Sequence, residues 1–205
     1  MAKRVRVKIC GLTNLADALA AAAAGADALG FNFYPASVRY VAPAVAADIV
    51  AQLPAGVCAV GVFVNAARDD VERTAAAVGL HAVQFHGDED PATCAGWSLQ
   101  TIKALRVRDR AAAALARQYA VDYVLADAYV EGQFGGTGAP IAVELLADFD
   151  RGRLILAGGL TPDTVAAAVR AVRPVAVDVA SGVEAAPGKK DHDKMRRFID
   201  HAQSA

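Results

Sequence analysis

Eight times along the chain, a short run of β-branched or aliphatic residues is followed by a longer alanine-rich segment of helical character, and few residues are left over for loops. That alternation is the signature of repeated β-α-β units, in which parallel strands are joined through helices. The predicted strands are Val5–Cys10, Ala28–Phe33, Cys58–Val64, Ala82–Phe85, Thr101–Leu105, Tyr123–Asp127, Arg153–Ala157 and Val175–Val179. The predicted helices are Asn14–Ala24, Pro43–Gln52, Ala67–Val78, Pro91–Trp97, Asp109–Gln118, Ile141–Phe149, Pro162–Val172 and Asp191–Ala202. Pro43, Pro91 and Pro162 stand at or near helix starts, where a missing N–H costs little. A strand–helix pair about every 25 residues points to a closed parallel (β/α)8 barrel, whose active site lies where the strands end. An open doubly wound sheet is the alternative, because periodicity cannot see closure.

At 205 residues the chain fits one domain, expected to span residues 1–205, with a substantial core. Acids (22) and bases (21) nearly balance, so no net field points to nucleic acid or to an anionic membrane, and the expected partner is a small molecule. Cys10, Cys58 and Cys94 are odd in number, far apart and without zinc-like spacing, which suggests reduced thiols. The basic N-terminus precedes too few apolar residues for a signal segment, and no apolar run reaches the roughly 18 residues of a membrane span. A cytoplasmic protein is expected, as a monomer or a homodimer.

In such a barrel, chemistry should cluster just after the C-terminal strand ends. Strand one ends in Lys8-Ile9-Cys10-Gly11-Leu12-Thr13, strand two runs into Ser37-Val38-Arg39-Tyr40, strand four into Gln84-Phe85-His86-Gly87, and strand six into Asp127. Strands seven and eight run into Gly158-Gly159-Leu160-Thr161 and Asp178-Val179-Ala180-Ser181-Gly182, and a third glycine turn, Gly135-Gly136-Thr137-Gly138, follows strand six. A phosphate held by backbone N–H groups needs chain that approaches closely and takes positive φ, and barrels hold phosphate after strands seven and eight. Any one of these turns taken alone reads as an ordinary tight turn.

A lone cysteine at a strand end is ordinarily an inert buried hydrophobe. The functional reading makes Cys10 a thiolate base, and Lys8, two residues earlier, shares its face of the strand. Whether Lys8 pairs with Cys10 or with an acid is open from sequence. Asp127 ends an apolar run and either sits at the barrel mouth or caps the next segment. Arg39 is either a surface charge or a fork for a substrate carboxylate. His86 reads as a hydrogen-bonded pocket wall or as an acid–base group.

These segments, together with Gly30-Phe31, Phe33-Tyr34-Pro35, Gly61-Val62-Phe63-Val64-Asn65, Leu125-x-Asp127, Val177-Asp178 through Val183-Glu184 and Pro187-Gly188-x-Lys190-Asp191, resemble the phosphoribosylanthranilate isomerase family from residue 8 to about residue 191. Each motif is weak alone, and their order along the whole chain is specific. The resemblance implies a cofactor-free Amadori rearrangement of N-(5′-phosphoribosyl)anthranilate in tryptophan biosynthesis. It implies Cys10 as general base, Asp127 as general acid, Arg39 on the anthranilate carboxylate, and Gly158-Gly159 and Ser181-Gly182 on the phosphate. His86, Asp178 and Gly136 complete the expected substrate-binding set.

Phe85, Ala126 and Ala180 depart from the residues expected of the family, and none coincides with the proposed acid or base. The barrel isomerase of histidine biosynthesis, which looks built on two aspartates and duplicated halves, is a rival; here strand one offers Cys10, and no half-chain repeat is visible. A binding barrel that has lost catalysis would be expected to lack Cys10 or Asp127.

Overall fold

The computed structural model describes residues 4–107, 109–127, 143–147 and 149–205. Eight parallel strands, β1 (Arg6–Cys10), β2 (Ala28–Asn32), β3 (Cys58–Phe63), β4 (Ala82–Phe85), β5 (Gln100–Arg106), β6 (Tyr123–Asp127), β7 (Leu154–Ala157) and β8 (Ala176–Val179), pair in chain order. The circle closes where β8 pairs with β1 in the register Arg6↔Ala176, Val7↔Val177, Lys8↔Asp178 and Ile9↔Val179. The barrel expected from sequence is the observed one, and the open sheet is excluded by that seam.

Strand alternation sorts the side chains into two cores. Outward residues such as Val7, Ile9, Leu29, Phe31, Val83, Leu154 and Leu156 pack in a large cluster with helix residues that include Met195 and Phe198. A second cluster, of Val60, Ala82, Ile102, Ala104, Leu125, Ile155, Ala157 and Ala176, fills the barrel interior. The interior set mixes alanine with branched residues, which suits the narrow space between facing strands.

The helices are α1 (Leu15–Ala23), α2 (Pro43–Val50), α3 (Arg68–Val78), α4 (Pro91–Cys94), α5 (Arg110–Leu115), α6 (Val165–Val172) and α7 (His192–Gln203). Local chemistry sets their ends. Asn14 caps α1 by accepting from the Asp17 N–H at 2.9 Å, and Asp191 caps α7 by accepting from Asp193 and Lys194 N–H at 3.0 Å each. Pro43 and Pro91 occupy first-turn positions.

Several predicted helices are shorter than expected. The Pro91–Trp97 segment is one turn, because Ala95 is extended and Gly96 turns at φ +71°, which frees the Trp97 ring to pack 5.2 Å from Phe85. In Pro162–Val172 the helix begins at Val165, after a turn in which Thr164 Oγ1 accepts from the Thr161 N–H at 3.0 Å. The segment Asp109–Gln118 tightens from α5 into a 3₁₀ turn at Ala116–Gln118. Of the predicted helix Ile141–Phe149, the described part holds a 3₁₀ helix at Val143–Leu146, while residues 141, 142 and 148 lie outside the described residues, as does the whole turn containing Gly136.

One element has no counterpart in the sequence expectation. After a 3₁₀ turn at Ser181–Val183, strands β9 (Glu184–Ala186) and β10 (Lys189–Lys190) form an antiparallel hairpin around Gly188, which takes φ +77°. Asp17 of α1 anchors it, accepting the Lys190 N–H at 2.8 Å, and Thr13 donates its hydroxyl to the Gly188 carbonyl at 2.6 Å. Among the described residues, no helix is long and apolar enough to cross a membrane.

Candidate active site

The C-terminal strand ends open onto one cavity of about 600 Å³. Cys10, Arg39, His86, Asp127, Gly158, Gly159, Asp178, Ser181 and Gly182 all line it, so every predicted site residue within the described chain is brought together. Gly136 lies outside the described residues.

On β1, alternation points Lys8 and Cys10 inward while Ile9 is buried among the helices. Lys8 Nζ donates to Asp178 Oδ1 at 2.8 Å, and its side chain is 3% exposed. This settles the pairing left open by the sequence, and the ammonium also lies beside the Cys10 thiol. Space for the trio comes from Gly30, the register partner of Cys10 on β2: a β-carbon there would stand 2.8 Å from Cys10 Sγ and 3.2 Å from Lys8 Nζ.

Burial opposes the Lys8 charge, but Asp178 and Cys10 outweigh it and hold the ammonium firmly protonated. Burial pushes the Cys10 thiol above its ordinary range; Lys8 pulls it back down, while Asp178 adds to the rise. The resting side chain is therefore a thiol next to a cation that favours its ionised form.

Asp127 sits at the end of β6, half-buried at the mouth, opposite Arg106 in the β5–β6 register. His86 follows β4, with its Nδ1 2.8 Å from Gln84 Nε2. Burial lowers its pKa, so the imidazole is neutral at physiological pH and belongs to the cavity wall. Gln84 is itself fully buried, pointing into the barrel.

Arg39 enters from the β2–α2 loop, and Gly11, at φ +76°, leaves room for its side chain to cross the end of β1. Its guanidinium is held in a two-point fork by Glu184, Nε to Oε1 and Nη2 to Oε2, both at 2.7 Å. Two of the five donors are thereby engaged, and among the described residues Nη1 has no hydrogen-bond partner.

The turns after β7 and β8 interlock. Gly158 and Gly159 take φ +94° and +64°, conformations that a side chain resists. A β-carbon at Gly182 would overlap the Leu160 carbonyl oxygen, so the two turns can meet only with glycine there. Backbone exposed in this way, at the strand seven and eight position, suits a phosphate.

Sequence reasoning passed over Glu184, Lys190, Gln84 and Arg106. Glu184 and Lys190 flank the Gly188 turn, a hint of a hairpin, but nothing local shows that they meet Arg39. Arg106 fell one residue beyond the predicted strand Thr101–Leu105, whereas β5 runs through Arg106 to the cavity.

The geometry is joined by likeness to known proteins. The family described as N-(5'phosphoribosyl)anthranilate (PRA) isomerase matches residues 7–201. An N-(5'-phosphoribosyl)anthranilate isomerase of Pelobacter propionicus is 51% identical over 196 residues, 95% of this chain and 94% of the relative. The crystal structure of phosphoribosyl anthranilate isomerase from Thermotoga maritima aligns with a TM-score of 0.89 at 44% identity, over 98% of this chain and 100% of that one. A structure of such an isomerase in complex with reduced 1-(o-carboxyphenylamino)-1-deoxyribulose 5-phosphate aligns at 0.85 and 42% identity, with the same coverage of 98% and 100%. Likeness that runs the length of the barrel, with no large segment unmatched on either side, places the chain in the N-(5'-phosphoribosyl)anthranilate isomerase family.

Proposed function

We propose that residues 1–205 act as one cytoplasmic catalytic domain that converts N-(5′-phosphoribosyl)anthranilate to 1-(2-carboxyphenylamino)-1-deoxy-D-ribulose 5-phosphate in tryptophan biosynthesis, by acid–base chemistry and without a cofactor. The observation that carries this reading is the placement of Cys10 and Asp127 at the ends of β1 and β6, facing one cavity above two interlocked glycine turns. A furanose held between these strands has an acid on one side and a base on the other.

Asp127, as the carboxylic acid, gives its proton to the ring oxygen as the C1′–O4′ bond breaks, and the nitrogen lone pair forms the C1′=N bond of an iminium ion. The iminium acidifies the C2′ hydrogen, which the Cys10 thiolate removes, and the C–H electron pair becomes the C1′=C2′ bond of an enolamine. Moving the proton of the C2′ hydroxyl to C1′ yields the aminoketone, so atoms and electrons balance with no external oxidant. A thiolate whose pKa is raised by burial is scarcer at neutral pH but a stronger base once formed. Lys8, beside it, favours that form.

Arg39 supplies the free edge of its fork to the anthranilate carboxylate, and the Gly158-Gly159 and Ser181-Gly182 turns take the phosphate. Asp178 holds Lys8 in place beside Cys10 while lining the cavity, and His86 forms a neutral wall.

The test follows the loss of anthranilate-type fluorescence with fresh substrate for wild type, Cys10→Ser and Asp127→Asn, each shown to be folded. Wild type should convert, and each variant should lose roughly 10²- to 10⁴-fold in kcat. A folded wild type that leaves the substrate unchanged would refute the isomerase reading.

A further inference from the structure

We infer that Glu184 is a positioning residue for the carboxylate clamp: by binding the Nε–Nη2 edge of Arg39 it aims the remaining edge of the guanidinium at an aryl carboxylate in the cavity. This rests on the isomerase reading above and adds to it a residue outside the acid–base pair.

Arginine on a loop is a poor clamp unless something removes its freedom, since its side chain has four rotatable bonds to order on binding. Here its backbone, its stem and its head are each constrained before substrate arrives. Gly11 leaves a bed for the aliphatic stem, Ser37 Oγ accepts the Arg39 N–H at 3.1 Å, and Glu184 fixes the head at two points. Glu184 is in turn held from behind, its Oε1 accepting from Lys190 Nζ at 3.0 Å and from the Gly188 N–H at 3.3 Å, with its side chain only 6% exposed. Lys190 also donates to the Ala180 carbonyl at 3.1 Å, which ties the hairpin to the turn that follows β8.

Charge decides whether this arrangement attracts or repels a carboxylate. Glu184 alone would repel it, but two cations, Arg39 and Lys190, surround one anion, so the cluster keeps a net charge of one positive unit. Arg39 is thus held rigidly by an acid without losing its attraction for the substrate, and the hairpin β9–β10 acts as the bracket. Pre-ordering of this kind raises affinity by lowering the ordering cost of binding.

The test compares two substrates, the phosphoribosyl derivative of anthranilate and that of aniline, which lacks only the carboxylate, with product quantified by chromatography. In Arg39→Met the preference for the carboxylated substrate should collapse. In Glu184→Gln, kcat/KM for the anthranilate derivative should fall roughly 10- to 100-fold, mostly through KM, while the aniline derivative is converted as by wild type. Glu184→Asp, which keeps the charge on a shorter arm, should fall between wild type and Glu184→Gln, and Arg39→Met/Glu184→Gln should be no worse than Arg39→Met. Equal loss on both substrates in Glu184→Gln would reduce Glu184 to a structural role and overturn the inference. Should Glu184→Gln fail to fold, Glu184→Asp decides alone, and an unchanged preference in it is the overturning result. A preference that survives Arg39→Met would refute the clamp and the inference with it, whereas a wild type inactive on both substrates would refute the isomerase reading itself.

Discussion

Lys8 and Asp178 are register partners across the seam where β1 and β8 close the barrel, and their side chains meet inside it with Nζ 2.8 Å from Oδ1. The chain's first and last barrel strands are thus joined by backbone ladder bonds and by a buried ion pair, two residues before the proposed base on β1. Removing one partner leaves an uncompensated charge in the interior. Lys8→Met should therefore destabilise the fold by about 3–5 kcal/mol, read by urea unfolding. A loss below about 1 kcal/mol, the scale of a surface pair, would show that the pair is not the buried contact described.

The same trio predicts how Cys10 titrates. Alkylation of Cys10, followed by peptide mapping so that Cys58 and Cys94 do not interfere, should rise with pH to a midpoint above that of an ordinary thiol, because burial raises the pKa. Lys8→Met should move the midpoint further up and Asp178→Asn should move it down, since Lys8 favours the thiolate and Asp178 opposes it. Shifts in the same direction would contradict this assignment of causes.

A second buried pair lies on the helix side of the sheet. Lys103 Nζ is 2.7 Å from Glu89 Oε2, each side chain is 2% exposed, and Glu89 also accepts the Asn65 N–H at 2.7 Å. Lys103 donates further to the Gly87 carbonyl at 2.7 Å. Lys103→Met should cost about 3–5 kcal/mol by stranding Glu89, with Tm as the readout.

Asp17 titrates below the ordinary carboxylate range: burial would raise its pKa, but hydrogen bonds from the Lys190 N–H, His192 and Asn14 together outweigh it. A carboxylate depressed on folding contributes stability that is fully present above the unfolded pKa of about 3.9 and is lost as pH falls through the lower folded value. Glu184 shifts the same way, against its own burial, through Arg39 and Lys190. Acid unfolding of wild type should steepen below pH about 4, and Asp17→Asn should be less stable at neutral pH with a flatter acid limb. An unchanged acid limb in the variant would count against the anchoring role.

Two glycines in the phosphate turns should respond differently to alanine. At Gly182 a β-carbon overlaps the Leu160 carbonyl oxygen, so the turns must separate and KM should rise, on the order of tenfold or more. At Gly159 the same carbon meets open space, and only the positive φ is strained, a cost of about 1–2 kcal/mol. Similar kinetics in the two variants would argue that close packing of the turns does not govern phosphate binding.

The residue types at strand ends were readable because a pleated strand has a period of two and a barrel puts its chemistry at one rim. Cys10, Asp127 and the turns at Gly158-Gly159 and Ser181-Gly182 fall where that rule places them. The helices blurred where side chains compete with the helix for backbone groups, as at Thr161 and Thr164, or where a glycine admits another conformation, as at Gly96. The β9–β10 hairpin escaped because its strands are three and two residues long, too short for any periodicity.

By itself, then, the sequence determined the order of strands and helices, the inward face of each strand and the rim where reactive residues gather, since all of these follow from local periodicity and turn chemistry. Only the tertiary structure decided that β8 returns to β1, that Lys8 takes Asp178 as its partner 170 residues away, and that Arg39 is held by Glu184 at a separation of 145. Those pairings, and the protonation states they impose, arise from burial and distance between remote segments, which no local pattern encodes.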